Sequence, residues 1–149
     1  MHPFDPKTVF LAKHAQHVVL IHFPIALLLA GVAFDAAAGW TKRQALAAAA
    51  YYNLAVAAAF SLPVVVTGLL AWQFQLEGQK LKGVLLLHLV LGAVSGALIC
   101  FIWWLHHRAR SAPQPAFPPY RWPVELLAVL LVTLTGHLGG FLSGVNGPG

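Results

Sequence analysis

Gln44 to Leu76 reads QALAAAAYYNLAVAAAFSLPVVVTGLLAWQFQL, a run without one charged side chain. At 1.5 Å per residue a helix needs about 20 apolar residues to cross roughly 30 Å of hydrocarbon. This stretch exceeds that requirement. In lipid it has to be helical, because an open strand would leave its peptide groups unpaired. Three further windows share its character: His14 to Gly39, with Asp35 its lone formal charge; Gly83 to about His107; and Trp122 to Ser143, carrying Glu125.

The whole chain follows the same pattern, with 59% hydrophobic and 9% charged residues over 149 positions. A soluble domain has roughly 45–50% apolar and about 25% charged residues. So few charges cannot cover a water-soluble surface, which excludes an ordinary cytosolic enzyme or a disordered tail. The net charge of +5 is spread in pairs at the span edges and forms no stripe, so no nucleic-acid partner is expected. Cys100 is the one cysteine and lies inside an apolar run, where it reads as a small buried hydrophobe.

These windows predict an all-α, four-helix transmembrane bundle running up-down-up-down as a single integral membrane domain, with helices over about 14–39, 45–74, 83–107 and 122–143. Short links, Trp40 to Arg43 and Gln73 to Lys82, force antiparallel neighbours. Arg108 to Arg121 holds Pro113, Pro115, Pro118 and Pro119 and reads as a semi-rigid surface linker. The first span, with three histidines, reads as a retained helix rather than a cleaved leader. Pro24 and Pro63 each remove a helical hydrogen bond and are expected to bend their spans.

Lys7, Lys13, Lys80 and Lys82 flank one face of the bundle; Lys42, Arg43, Arg108, Arg110 and Arg121 flank the other. This small excess leans toward an exterior amino terminus, in a bacterial inner membrane. Trp40, Trp103, Trp104 and Trp122 fit an aromatic belt at the second face, with Trp72 at the first.

Eight histidines are unusual in so apolar a chain. His14, His17 and His22 start the first helix, His88 lies near the start of the third and His137 near the end of the fourth. At 1.5 Å per residue, His22, His88 and His137 share a depth of roughly 8–14 Å below the first face. Ionisable groups in lipid normally face the bundle interior and mark function. Facing imidazoles on different helices suit the two axial positions of a b-type haem. Three of them could instead hold zinc or copper, or relay protons. As a third alternative, they hydrogen-bond across helices to carbonyls, Thr133 or Ser95 and only hold a structural subunit together.

The neighbours allow more than one reading as well. Gly92, Ser95 and Gly96 follow His88 on one side of its helix, and Thr133, His137, Gly140 and Gly144 share a face of the fourth. Small residues there leave room for a macrocycle, but Gly92 to Gly96 is also a GxxxG packing seam. Lys80 and Lys82 could meet haem propionates or snorkel to the boundary. His106 and His107, beside Arg108 at the far face, read as interfacial polar residues. The spans offer little acid: Asp35 and Glu125 lie near that far face, so no independent enzyme is expected.

His2-Pro3, His22-Phe23-Pro24-Ile25-Ala26-Leu27, His88 with Gly92, and Thr135-Gly136-His137-Leu138-Gly139-Gly140 together resemble a bacterial membrane family catalogued as domain of unknown function 2231. The resemblance covers nearly the whole chain and implies a four-helix membrane protein whose motif histidines are His22, His88 and His137. Some relatives are fused to, or encoded with, Rieske iron–sulphur or other redox proteins, which implies membrane electron transfer. The family's leading His-Pro runs almost directly into His-Phe-Pro, whereas here an insertion with His14 and His17 separates them.

The resulting expectation is a haem-b-binding, non-catalytic subunit that transfers electrons between a redox partner and the quinone pool or a cytochrome. His22, His88, His137, His17 and His14 are its candidate ligands, with Gly92, Gly140, Lys80 and Lys82 around the cofactor; the metal alternative uses His22, His88 and His137. Alanine-rich Ala45 to Ala50 and Ala55 to Ala59 suit packing against another redox subunit or a second copy in the bilayer.

Overall fold

The computed structural model describes residues 15–112 and 117–144. They form four helices: α1 Ala15–Thr41, α2 Gln44–Gln75, α3 Gly83–Ser111 and α4 Arg121–Leu142. All four are long and apolar enough to cross a membrane. The shortest, α4, has 22 residues, so it extends about 33 Å, just over the hydrocarbon thickness. No strand occurs among the described residues.

The links follow from local backbone chemistry. α1 ends at Lys42, whose φ of 58° is left-handed and whose N–H closes on Ala38 O at 2.8 Å. Arg43 is extended (φ −82°, ψ 118°), and α2 starts at once. After α2 the chain turns through Glu77 (φ 51°) and Gly78 (φ 61°). Trp72 Nε1–H donates to Gln79 O at 2.9 Å and pins that turn to the helix end. α1 and α2 each continue unbroken through Pro24 and Pro63. α3 runs four residues past the expected His107, to Ser111.

Each helix packs antiparallel on its sequence neighbour, and α1 also touches α4. Polar side chains along the spans mostly turn back on their own helix. Asn53, Ser61, Thr133 and Thr135 donate to the carbonyl four residues earlier at 2.7–2.9 Å, which pairs them without water.

The bundle has two unlike halves. Toward the end formed by the α1–α2 link and the start of α4, Leu28, Leu54, Ala57, Ala58, Ile99, Ile102, Ala128 and Val132 make a buried core. Toward the other end, none of residues 16–23, 62–94 or 133–144 whose burial is described is buried. Alanine explains much of the closed half. Ala50, Ala57 and Ala58 face inward and let α2 approach its neighbours, so part of the alanine stretch expected to meet a partner lies inside the bundle.

Among the described glycines the tightest contact is at Gly31 rather than on the α3 GxxxG seam. A Cβ at Gly31 would lie 2.8 Å from Leu54 Cγ, whereas one at Gly96 would meet Ser61 Cβ at 3.8 Å, an ordinary contact. Leu54 is fully buried and has little room to yield. Gly31→Ala should therefore destabilise the protein by about 1–3 kcal/mol, as overpacked cores do, and Gly96→Ala should be tolerated. Thermal unfolding in detergent compares the two.

Candidate functional site

The histidine half joins the helices in two pairs. On α1 and α2, His17 Nδ1 lies 3.1 Å from Thr67 Oγ1. The Thr67 hydroxyl proton is directed to the carbonyls of Pro63 (2.8 Å) and Val64 (3.1 Å). Its oxygen is therefore the acceptor, and His17 Nδ1–H donates. Phe23 stacks on Phe60 at 4.7 Å between the same helices. On α3 and α4, His88 Nδ1–H donates to Thr135 O at 3.1 Å. His22 Nδ1–H donates within α1 to Val18 O at 2.6 Å.

These bonds select one tautomer. A carbonyl can only accept, so a neutral imidazole bonded to it through Nδ1 carries its lone pair on Nε2. His88 and His22 are both held this way, and His17 reaches the same state through Thr67. Two glycines make room for the rings. A Cβ at Gly139 would come within 3.2 Å of His88 Cε1, and one at Gly68 within 3.0 Å of His17 Cε1.

The other expected residues are placed as follows. His22 and His137 are exposed, with His137 edge-on to Phe141 at 5.0 Å. Gly92 and Gly140 are half-buried, and Lys80 and Lys82 are exposed on the α2–α3 link. A Cβ on Gly92 would touch Thr135 Cγ2 at 3.7 Å. The Thr133–His137 side of α4 faces outward. Ser95 meets the Thr135 hydroxyl at 3.4 Å instead of an imidazole. His22, His88 and His137 do not form a three-donor group among the described residues. His14 lies outside the described residues.

The closed half holds a polar centre that the sequence reading placed at the interface. Asp35, His106, Arg121 and Glu125 are all buried. His106 Nε2–H donates to Glu125 Oε1 at 2.9 Å. Arg121 Nε approaches Asp35 Oδ2 at 3.2 Å, an ionic contact without a directed hydrogen bond. The Arg121 guanidinium lies over Phe117 at 4.0 Å and Trp122 at 4.5 Å. Phe117 also tilts against His106 at 4.8 Å.

Helical register explains why these groups meet. Arg121 and Glu125 are four residues apart at the start of α4 and project on one side. α1 and α3 end at the same face, so Asp35 and His106 arrive at similar depth. Of the two adjacent histidines, His106 turns inward, whereas His107 stays exposed and pairs through Nδ1 with the Tyr51 hydroxyl at 3.2 Å. The signal available in the sequence was the isolated charges themselves, since single acids inside apolar spans need a partner. His106 could not be paired with them until the facing of α3 was known.

The family described as predicted membrane protein (DUF2231) matches residues 13–147. No curated protein and no solved structure matches the chain.

Breaking a buried pair by removing one partner is costly, because the other charge stays buried without compensation. Arg121→Met should destabilise the protein by about 3–5 kcal/mol. Adding Asp35→Leu should restore most of that loss. Unfolding of both variants in detergent with chelator checks the coupling, and equal loss in single and double variants would show that the pair is not the cause.

Proposed function

The chain belongs to this family of predicted membrane proteins, and from that premise we propose that it is a haem-b-binding subunit passing electrons between a redox partner and the quinone pool or a cytochrome. The observation that carries the reading is the set of imidazoles in the unburied half, held through Nδ1 so that Nε2 is the ligand atom. Metal-binding histidines generally donate their second ring N–H to a carbonyl or similar acceptor in this way.

In this reading His88 holds the iron from α3. A second ligand would come from His22, or from His17 or His137, and His14 is a further candidate by sequence alone. Lys80 and Lys82, exposed where α3 begins, suit the propionates. Gly92 and Gly140 border the macrocycle. When bound, haem supplies a one-electron carrier whose potential depends on its axial ligands and burial. The chain's own part is to hold the imidazoles in their ligand tautomer, as a non-catalytic subunit of an oxidoreductase complex.

The flanking charges support a bacterial inner membrane with the amino terminus outside. The outward side chains of the histidine half, Leu62, Leu86 and Phe141 among them, suit a membrane redox subunit or a second copy. One observation favours a second reading, a structural subunit without cofactor. The His88 bond to Thr135 O already satisfies one ring nitrogen across helices, and such bonds contribute about 0.6–1.7 kcal/mol.

An absorption spectrum of the dithionite-reduced protein decides between them. The haem reading expects a b-type α-band and a pyridine haemochrome, both lost in His88→Ala. A colourless wild-type protein, expressed with ample haem precursor and merely destabilised by His88→Ala, would establish the structural reading.

A further inference from the structure

We infer that Asp35, His106 and Glu125 form a binding site for a divalent first-row cation of zinc type, separate from the histidine half. One ligand atom from each of the three lies within 4.8 Å of the others. They come from α1, α3 and α4, so a shared ion would tie three helices together. Bonds of about 2.0–2.2 Å in a tetrahedral set place donor atoms roughly 3.4 Å apart. The observed spacing is wider than that, so the three side chains would draw together around the ion.

Two observations point to a ligand beyond the proximity itself. First, Glu125 Oε2 is buried without a hydrogen-bond partner in a residue that is 0% exposed. Asp35 Oδ2 likewise has only its ionic contact with Arg121. An unpaired buried oxygen forfeits hydration that nothing in the protein replaces. Second, the permanent charges do not balance. Two carboxylates face a single permanent cation, the guanidinium of Arg121.

The donor set selects the ion. Two carboxylates and an imidazole, with no sulphur, suit zinc or a neighbouring first-row metal better than copper(I). Calcium takes six to eight oxygens, more than the two carboxylates supply. The ion would occupy the place of the proton between His106 Nε2 and Glu125 Oε1, so binding requires that nitrogen deprotonated. The site lies near the helix ends. Glu125 is about 6 Å along α4 from Arg121, and Asp35 about 9 Å from the end of α1 at 1.5 Å per residue.

The test uses the full chain, purified in detergent through a tag without histidines and stripped with EDTA. Titration with zinc should show one saturable equivalent per chain and a rise in Tm, and cobalt(II) should give ligand-field bands of a low-symmetry N/O site. Glu125→Gln and His106→Asn should each weaken zinc binding by more than about 100-fold, beyond the loss typical of an outer partner. A His22→Ala/His88→Ala double variant should bind as the wild type does. The wild-type titration needs no variant to fold. Absence of a saturable equivalent there overturns the site. Binding lost only in the His22/His88 variant also overturns it, and moves the metal to the other half without deciding whether haem binds.

Discussion

A carboxylate near the end of a membrane helix cannot remain charged in hydrocarbon unless another group compensates it, and in this protein that requirement ties three helices together. Asp35 on α1 meets Arg121 on α4, and Glu125 on α4 meets His106 on α3. Apolar surface alone gives helices little reason to associate when lipid tails are equally apolar. The ionic and hydrogen-bonded contacts join faces of α1, α3 and α4. Apolar packing of Leu28, Leu54, Ile99, Ile102 and Val132 follows below that layer.

The two halves of the bundle differ because their polar residues are used differently. In the closed half the polar groups converge on one another and alanines allow close approach. In the histidine half three imidazoles make local or pairwise bonds: His22 to its own helix, His17 to α2 and His88 to α4. Such bonds orient rings but do not draw all four helices inward, and none of the described residues there is buried.

Much of this was legible in residue order. The four spans and their antiparallel order follow from uncharged runs and short links. The histidine concentration at one depth follows from counting residues along helices of known rise. What could not be read was facing. His106 and His107 are neighbours in the chain, yet one is buried against Glu125 and the other is exposed beside Tyr51. In a span that is apolar all round, the pattern of hydrophobic residues does not say which side is inside. The same ambiguity hid Gly31 as the close contact, since its partner Leu54 lies on another helix.

The amino-acid sequence by itself determined that the chain crosses a bilayer four times as helices, because backbone groups in hydrocarbon must pair within their own segment. It also determined that imidazole gathers near one face and isolated acids near the other. Only the tertiary structure decided which of those groups touch. Contact depends on the rotation of each helix about its axis, which is set jointly by all four. That rotation made a buried centre of Asp35, His106, Arg121 and Glu125 and left His22 and His137 facing outward.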